Sequence, residues 1–188
     1  MPDLPLFPLN TVLFPGGRLP LRIFEQRYMD MAKDCLKNSS AFGVCLIREG
    51  NEVGDPALPA EVGTLARITA WDMPQLGVLE VVAVGAQRFR IKERRVEPSG
   101  LARASIEMLP DDEDGAIPAD CAGCVKLIER VIEEQPALFE PPLRKESASW
   151  VGSRLAELLP VPLTAKQELL ELMDARARLQ ALNALLGR

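Results

Sequence analysis

Histidine is missing from all 188 residues of the chain. Its absence excludes Ser-His-Asp and Cys-His catalysis and histidine-ligated metal sites, and it removes the side chain that most often transfers protons near neutral pH. The glycine patterns of phosphate-binding loops, dinucleotide-binding turns and hydrolase nucleophile elbows are missing as well. We therefore expect no catalytic residue, no metal ion and no cofactor.

Aromatic residues are scarce, at 5% of the chain, which disfavours a surface that stacks on nucleic-acid bases. No apolar run is long enough to cross a membrane, and the first residues lack the basic segment and apolar stretch of a secretory signal. We therefore expect a cytoplasmic protein that does not bind membranes.

The net charge of −5 comes entirely from one half of the chain. Residues 1–109 carry 13 acidic and 13 basic side chains, whereas residues 110–188 carry 14 acidic and 9 basic ones. An acidic half disfavours general affinity for nucleic acid.

The hydrophobic pattern divides the chain into a β half, residues 1–109, and a helical half, residues 118–188. Between them, residues 110–117 form an acidic segment whose like charges repel one another, which predicts a solvated linker. In the β half, short strands punctuated by glycine, proline and asparagine predict a small closed or half-closed β structure with one helix at about residues 25–37. The later strands are predicted at residues 42–48, 63–71, 77–84, 87–96 and 102–108.

Apolar residues at helical spacing predict three helices in the second half, at residues 119–135, 145–159 and 164–186. Prolines separate them. Thr164, followed three residues later by Gln167, predicts a capping box at the start of the last helix, and Gly187 follows its end.

The opening run LPLFPLNTVLFPGGRLPLRIFEQRY, from Leu4 to Tyr28, combines proline-bounded strands with the start of a helix. Within it, Phe14-Pro15-Gly16-Gly17 predicts a type II turn, with proline second and glycine third. Three later segments follow in order: GTLARI at 63–68, VGAQRFRI at 84–91 and LLPVPLTAKQELLELMDARARLQAL at 158–182. Together these segments resemble the N-terminal, substrate-binding (LON) domain of Lon proteases.

The resemblance implies an α+β fold, namely a six-stranded, PUA-like β pseudo-barrel with an inserted helix, followed by an α-helical bundle. It also implies a non-catalytic module that recognises unfolded or partner polypeptide segments and that works with a Lon protease or independently of one. Lon proteases continue into an ATPase and a Ser-Lys protease domain, before which this chain ends. We therefore expect a stand-alone LON-domain protein.

Trp71, Met73 and Leu76 stand out because they join two predicted strands, where a connection normally carries polar residues. These side chains either fold onto the helical half as core, which is the interpretation that we favour, or form an exposed patch that binds polypeptides of varied sequence. The same choice applies to Leu138 and Phe139, in a connector bracketed by prolines.

The predicted strand at 87–96 carries a basic residue at every second position: Arg88, Arg90, Lys92 and Arg94. With a period of two, all four side chains would project from one face of a sheet. An RNA-binding surface is the alternative function that this face suggests. Because Glu93 and Glu97 lie nearby, we favour an ordinary solvated strand face.

Cys121 and Cys124 form a CxxC pair. The pair could be a redox centre, or half of a zinc site with Cys35 and Cys45 as distant partners. Alternatively, both thiols pack as small hydrophobic groups in the apolar stripe of a helix. We favour packing, because thioredoxin-type pairs open a helix directly after a strand and a zinc site normally needs a second closely spaced pair.

Overall fold

The computed structural model describes residues 3–113 and 115–186. Within these residues the fold is mixed α and β, as the sequence predicted, with seven strands, five α-helices and two short 3-10 helices. The strands are β1 (Asp3–Leu9), β2 (Arg18–Ile23), β3 (Phe42–Glu49), β4 (Leu58–Pro59), β5 (Val62–Gln75), β6 (Val78–Val96) and β7 (Ala102–Met108). The helices are α1 (Gln26–Asn38), α2 (Ala122–Glu134), α3 (Ala148–Leu158), α4 (Leu163–Glu171) and α5 (Ala175–Leu186), and the 3-10 turns are Ala119–Cys121 and Pro136–Leu138.

The chain divides into two compact units, residues 1–110 and 111–188. In the first unit the strand pairings form a closed circuit, β1–β7–β6–β5–β3 and back to β1. The β1–β3 pairing is parallel and the other pairings in the circuit are antiparallel. β2 pairs with β6 outside the circuit, and β4 pairs with β3. The described residues thus contain seven strands where the resemblance implied six, and β4 is only two residues long.

Buried side chains on both faces of the circuit hold the first unit together. Because side chains alternate along a strand, neighbouring residues of β1 enter different clusters: Leu6 packs with Phe89, and Phe7 packs beneath α1. The ring of Phe7 stacks on that of Tyr28, with centroids 4.0 Å apart. This contact fixes α1, which was predicted within one residue of its observed ends, against the sheet.

β6 is one strand of 19 residues, although the sequence predicted two strands separated near Gly85. Glycine is required at position 85 because the backbone of Phe14 passes very close to it: a Cβ on Gly85 would lie 2.2 Å from the carbonyl oxygen of Phe14. Gly16 donates to the Gly85 carbonyl at 2.7 Å, and Gly85 donates to the Gly17 carbonyl at 2.8 Å. The turn itself closes as predicted, with Gly16 at φ +75° and a 2.9 Å hydrogen bond from Gly17 to Phe14.

The second unit contains one more α-helix than the sequence predicted, because its last helix is broken into α4 and α5. Asp174 caps the new start: its Oδ1 accepts hydrogen bonds from the backbone N–H groups of Arg176 at 2.8 Å and Ala177 at 3.2 Å. An uninterrupted apolar pattern does not reveal such a break. Gly187, which the sequence placed after the last helix, lies outside the described residues.

The predicted capping box at the start of α4 is wrong. The N-cap of α4 is Pro162, which makes no side-chain cap, and Thr164 lies inside the helix. Gln167 donates to Glu171 at 2.7 Å, one turn further along the helix. The helix therefore begins after Pro162, whose ring fixes its φ, and no side chain of the cap accepts a hydrogen bond from the first N–H groups of the helix.

Arg178 is the most completely buried charged side chain of the second unit, with 1% of its side chain exposed. Its Nη1 lies 2.6 Å from Oδ2 of Asp112, whose side chain is 6% exposed. Its remaining donors reach backbone carbonyls at the end of α4, those of Leu169 at 2.8 Å and Leu172 at 2.5 Å. Arg178 thus closes the break between α4 and α5 and pairs with the segment that precedes the bundle.

The prediction of a solvated acidic linker is therefore wrong for part of that segment. Asp112 also accepts a 2.8 Å hydrogen bond from the hydroxyl of Ser149, and the backbone N–H of Ala148 donates to the carbonyl of Gly115 at 2.9 Å. The segment packs on α3 and α5 because one of its carboxylates neutralises a buried guanidinium. Asp114, which the prediction included, lies outside the described residues.

Candidate functional site

The apolar residues at 71–76 form the end of a long β-hairpin rather than a separate loop. β5 and β6 are joined by the two-residue turn Leu76-Gly77, and Gly77 takes the positive φ of +83° that this turn requires. Trp71 is 59% exposed, Met73 39% and Leu76 97%. The interpretation of these side chains as core is therefore wrong, and all three belong to the outer end of one hairpin.

The strand register explains why an aromatic ring stands at this tip. Trp71 of β5 pairs with Val81 of β6, and Val81 pairs in turn with Leu21 of β2. Residues that pair across a sheet share a face, so Trp71 belongs to the row that contains the buried Val81. This row of side chains extends beyond the buried core, so Trp71, its outermost member, is exposed.

The backbone at the hairpin tip offers few hydrogen bonds to another strand. In the part of the chain that the structure describes, the outer half of β5 pairs only with β6. The N–H of Met73 donates to Oδ1 of its neighbour Asp72 at 2.8 Å, and Pro74 has no N–H. β2, the strand on the other side of β6, contains Pro20. Asp72 and Pro74 thus disfavour the addition of a strand at residues 73 and 74 of β5, where side chains are the main means of contact.

The second pair of apolar candidates separates in the structure. Leu138, in the second 3-10 turn, is exposed. Phe139 is buried, and its ring centroid lies 6.1 Å from that of Trp150 in α3. Phe139 thus belongs to the core of the second unit, and we leave it out of the candidate surface. The sequence does not separate these two residues, because both are apolar neighbours within one proline-bracketed connector.

The four basic residues of β6 do not share one face, contrary to the prediction. A β-bulge between Ile91 and Glu93 inserts one extra residue and reverses the alternation of side chains beyond it. Arg94 pairs with Ala104 and so lies on the face of Phe89 and Ile91, whereas Arg88 and Arg90 lie on the opposite face.

Three of the four predicted basic residues of β6 are also engaged or buried within the protein. Arg88 is buried. Lys92 pairs with Glu107 and holds the pKa of that carboxyl below its usual range. Arg94 donates to the carbonyl of Ala57 at 3.1 Å. The strand therefore does not form the continuous basic face that an RNA-binding surface needs.

Both thiols of the CxxC pair are buried, as the packing interpretation predicted. Burial raises the pKa of Cys121 to about 11 and also raises that of Cys124, which makes both thiols poor nucleophiles. Cys121 lies in a 3-10 turn and Cys124 in α2, where its Sγ donates to Oδ1 of Asn183 at 3.6 Å. Among the described residues, no cluster of three or more histidine, cysteine, aspartate or glutamate side chains could hold a metal ion.

A cleft of about 740 Å³, which sequence reasoning missed, lies between α1 and the strands β1 and β7. One face of α1 lines it at helical spacing, through Arg27, Asp30, Met31, Asp34, Cys35 and Asn38. The opposite wall contains Leu4, Leu101, Arg103, Ile106 and Met108. The repeat of polar residues along α1 was the only sequence signal of this cleft, and it equally describes a solvated helix face.

The arginines of the cleft are already paired. Arg27 donates to the carbonyls of Gly100 at 3.0 Å and Gly54 at 2.7 Å. On the other wall, Asp3 accepts hydrogen bonds from Arg95 at 2.5 and 2.8 Å and from Arg103 at 2.7 Å. These hydrogen bonds lower the pKa of the Asp3 carboxyl to about 2, and those from Arg95 have the largest effect.

The family model that matches the chain describes the ATP-dependent protease La (LON) substrate-binding domain and covers residues 3–188. A solved structure, the Lon N-terminal domain protein from Xanthomonas campestris, is similar with a TM-score of 0.82 and 36% identity over 98% of each chain. The N-terminal domain of the Mycobacterium avium complex Lon protease has a TM-score of 0.65 over 96% of each chain; at 19% identity, it supports the fold alone.

Among curated proteins, the Lon protease of Anaeromyxobacter dehalogenans is 31% identical over 98% of this chain and 23% of its own length. Protein cereblon of Danio rerio is 29% identical over 58% of this chain and 26% of its own length. The chain thus spans about a quarter of the length of the curated relatives that it matches. None of the described helices is long and apolar enough to span a membrane. From the match over residues 3–188, the chain belongs to the LON substrate-binding domain family.

Proposed function

We propose that this protein is a non-catalytic module that binds polypeptide segments, and that the tip of the β5–β6 hairpin is its contact surface. Membership of a substrate-binding domain family supports the class of function. The observation that carries the surface is the exposure of two large apolar side chains in one hairpin, Leu76 at 97% in the turn and Trp71 at 59% in β5. Clustered apolar and aromatic side chains on a soluble protein commonly form an interaction site.

The character of the tip suits partners of varied sequence. Met73 has a flexible, polarisable side chain that adapts to irregular partner surfaces. Because strand addition is disfavoured at residues 73 and 74, recognition acts through side chains and does not require the partner to form a strand.

We further propose that the closed circuit of strands is a PUA-like pseudo-barrel, which forms a β subdomain at residues 1–109, and that residues 118–188 form a separate helical-bundle subdomain. The parallel pairing of β1 with β3, which returns the circuit to its start, supports the barrel. By likeness to the Lon proteases, we propose cytoplasmic unfolded polypeptides as the partners, with or without a Lon protease present.

The test is the binding of a fluorescently labelled, permanently unfolded polypeptide, measured by anisotropy. Trp71→Ala should weaken binding by about 30-fold, since an aromatic hot spot contributes roughly 2 kcal/mol or more. Leu76→Ser should weaken it by about 10-fold or more, since burying a leucine side chain contributes roughly 1.5 kcal/mol or more.

The matched control is Leu143→Ser, which removes an exposed leucine from the second unit and should leave binding unchanged. Leu138→Ser tests the other candidate in the same way. The proposal fails if the wild-type protein does not bind the probe, or if the tip variants bind it as well as the control does.

A further inference from the structure

One wall of the cleft between α1 and the β1–β7 strands carries negative charge that the protein does not neutralise. Asp30 and Asp34 lie one turn apart on the cleft face of α1. Asp30 accepts a 2.7 Å hydrogen bond from the neutral amide of Gln26. Within residues 3–113 and 115–186, no lysine or arginine pairs with either carboxylate. Like charges at this spacing destabilise a helix. A cation bound between the two carboxylates would therefore be attracted by both of them.

The basic groups that line the same cleft do not supply that cation. Arg27 uses its guanidinium on backbone carbonyls and on Glu25, 2.9 Å away. Arg103 is held by Asp3 and by Glu97 on the opposite wall. The acidic wall of α1 is therefore the uncompensated charge of the cleft, and a ligand that complements it is cationic.

The rest of the cleft is suited to more than a small amine. Its two walls also include the apolar side chains of Met31, Ile106 and Met108, of which Met108 is exposed. A volume of about 740 Å³ falls within the usual range of ligand sites, about 300–1,000 Å³. Long basic side chains place an apolar stem on such a surface and a charged head at its edge.

We infer that this cleft binds a lysine or arginine side chain of a polypeptide segment, with the charged head near Asp30 and Asp34 and the neighbouring apolar residues of the segment against Met31, Ile106 and Met108. The inference rests on the proposed function, because it takes the occupant to be a polypeptide. It adds a substrate preference: unfolded segments in which a basic residue stands beside apolar residues bind better than neutral ones.

The experiment compares two labelled, unfolded peptides that differ at one position. The first contains leucine–lysine–leucine between serine and glycine residues, and the second has glutamine in place of lysine. The wild-type protein should bind the lysine peptide more tightly. Asp30→Asn and Asp34→Asn should each remove roughly 2- to 5-fold of that preference, and the double variant should remove nearly all of it, as expected for partly exposed ion pairs.

Three controls isolate the cleft. Asp111→Asn makes the same chemical change at an exposed residue of the second unit and should keep the preference. Raising the salt concentration should reduce the affinity for the lysine peptide alone. The double variant should unfold at the same temperature as the wild type or higher, because it removes a like-charge pair; this shows that lost binding is not lost folding.

The outcomes separate this inference from the proposed function. If the wild-type protein binds both peptides equally, or if the double variant keeps the lysine preference, the cleft assignment is wrong and the proposed function stands. If Leu76→Ser weakens both peptides alike while the aspartate variants affect only the lysine peptide, both proposals are supported. If neither peptide binds to the wild-type protein, both are overturned.

Discussion

Replacing Arg178 with methionine should destabilise the second unit far more than replacing a surface arginine. The substitution removes the 2.6 Å ion pair with Asp112 and the hydrogen bonds to the Leu169 and Leu172 carbonyls. It also leaves the carboxylate of Asp112, only 6% exposed, without its cation. Methionine retains the apolar stem of the side chain, so the loss reports mainly on the polar contacts.

The expected decrease in the free energy of unfolding is about 3–5 kcal/mol, the cost of breaking a buried ion pair by removing one partner. This is a large part of the roughly 5–15 kcal/mol that stabilises a typical domain. If Asp112 is replaced by alanine in the same protein, no uncompensated carboxylate remains. The double variant should therefore lose at least about 1 kcal/mol less than the sum of the single losses.

The assay is urea denaturation followed by tryptophan fluorescence. The chain has two tryptophans, and Trp71→Phe leaves Trp150, in α3, as the only one; its signal then reports on the second unit. The matched control is Arg176→Met, an exposed arginine on the same helix, which should change stability by no more than about 0.5 kcal/mol. A loss below about 1 kcal/mol for Arg178→Met, or additive losses in the double variant, would refute the reasoning.

Two predictions concern the first unit. Gly85→Ala should cost at least about 2 kcal/mol, because the new Cβ would lie 2.2 Å from the Phe14 carbonyl oxygen, a backbone atom. Urea denaturation followed at Trp71, with Trp150 replaced by phenylalanine, measures this loss. Gly123→Ala, in α2 of the second unit, places a Cβ that meets nothing within 4 Å and, followed at Trp150 with Trp71 replaced by phenylalanine, should not destabilise. Asp3, whose pKa is lowered from 3.8 to about 2, should titrate near pH 2 by carboxyl-carbon NMR. Its contribution to stability is then complete above pH 3.8 and is lost as the pH falls toward 2. Arg95→Gln should raise its pKa; an unchanged midpoint would contradict the assigned cause.

Elements with a strong local pattern were predictable from the sequence. α1 and β7 were predicted within one residue because a helical or alternating pattern and clear breakers fix them. The turn at residues 14–17 followed from proline and two glycines. Gly85 shows the limit of such reasoning: glycine marks a break in most strands, but here it admits a neighbouring backbone that only the tertiary fold brings close.

The side chains that decide the candidate sites depend on register, which the sequence does not encode locally. The residues of the basic strand alternate in sequence, yet one bulge moves Arg94 to the opposite face from Arg90. Asp112 lies in a run of acids that is indistinguishable from a linker, and its partner Arg178 is 66 residues away. The cleft acids on α1 were overlooked because exposed carboxylates on a helix are ordinary until a second wall faces them.

The hairpin tip combines two properties that usually conflict. An exposed apolar hairpin normally invites strand pairing and aggregation, since its edge presents free N–H and C=O groups. Here Asp72 occupies the N–H of Met73, Pro74 lacks one, and Gly77 completes a tight turn. At residues 73 and 74 no free backbone N–H is thus available to another strand, while the apolar side chains of the tip are exposed. The proposed function is consistent with this separation, because contact through side chains does not add the bound segment to the protein's own sheet. Replacing Pro74 with a residue that has a backbone N–H should therefore increase self-association through strand pairing, and should affect the affinity for an unfolded partner less.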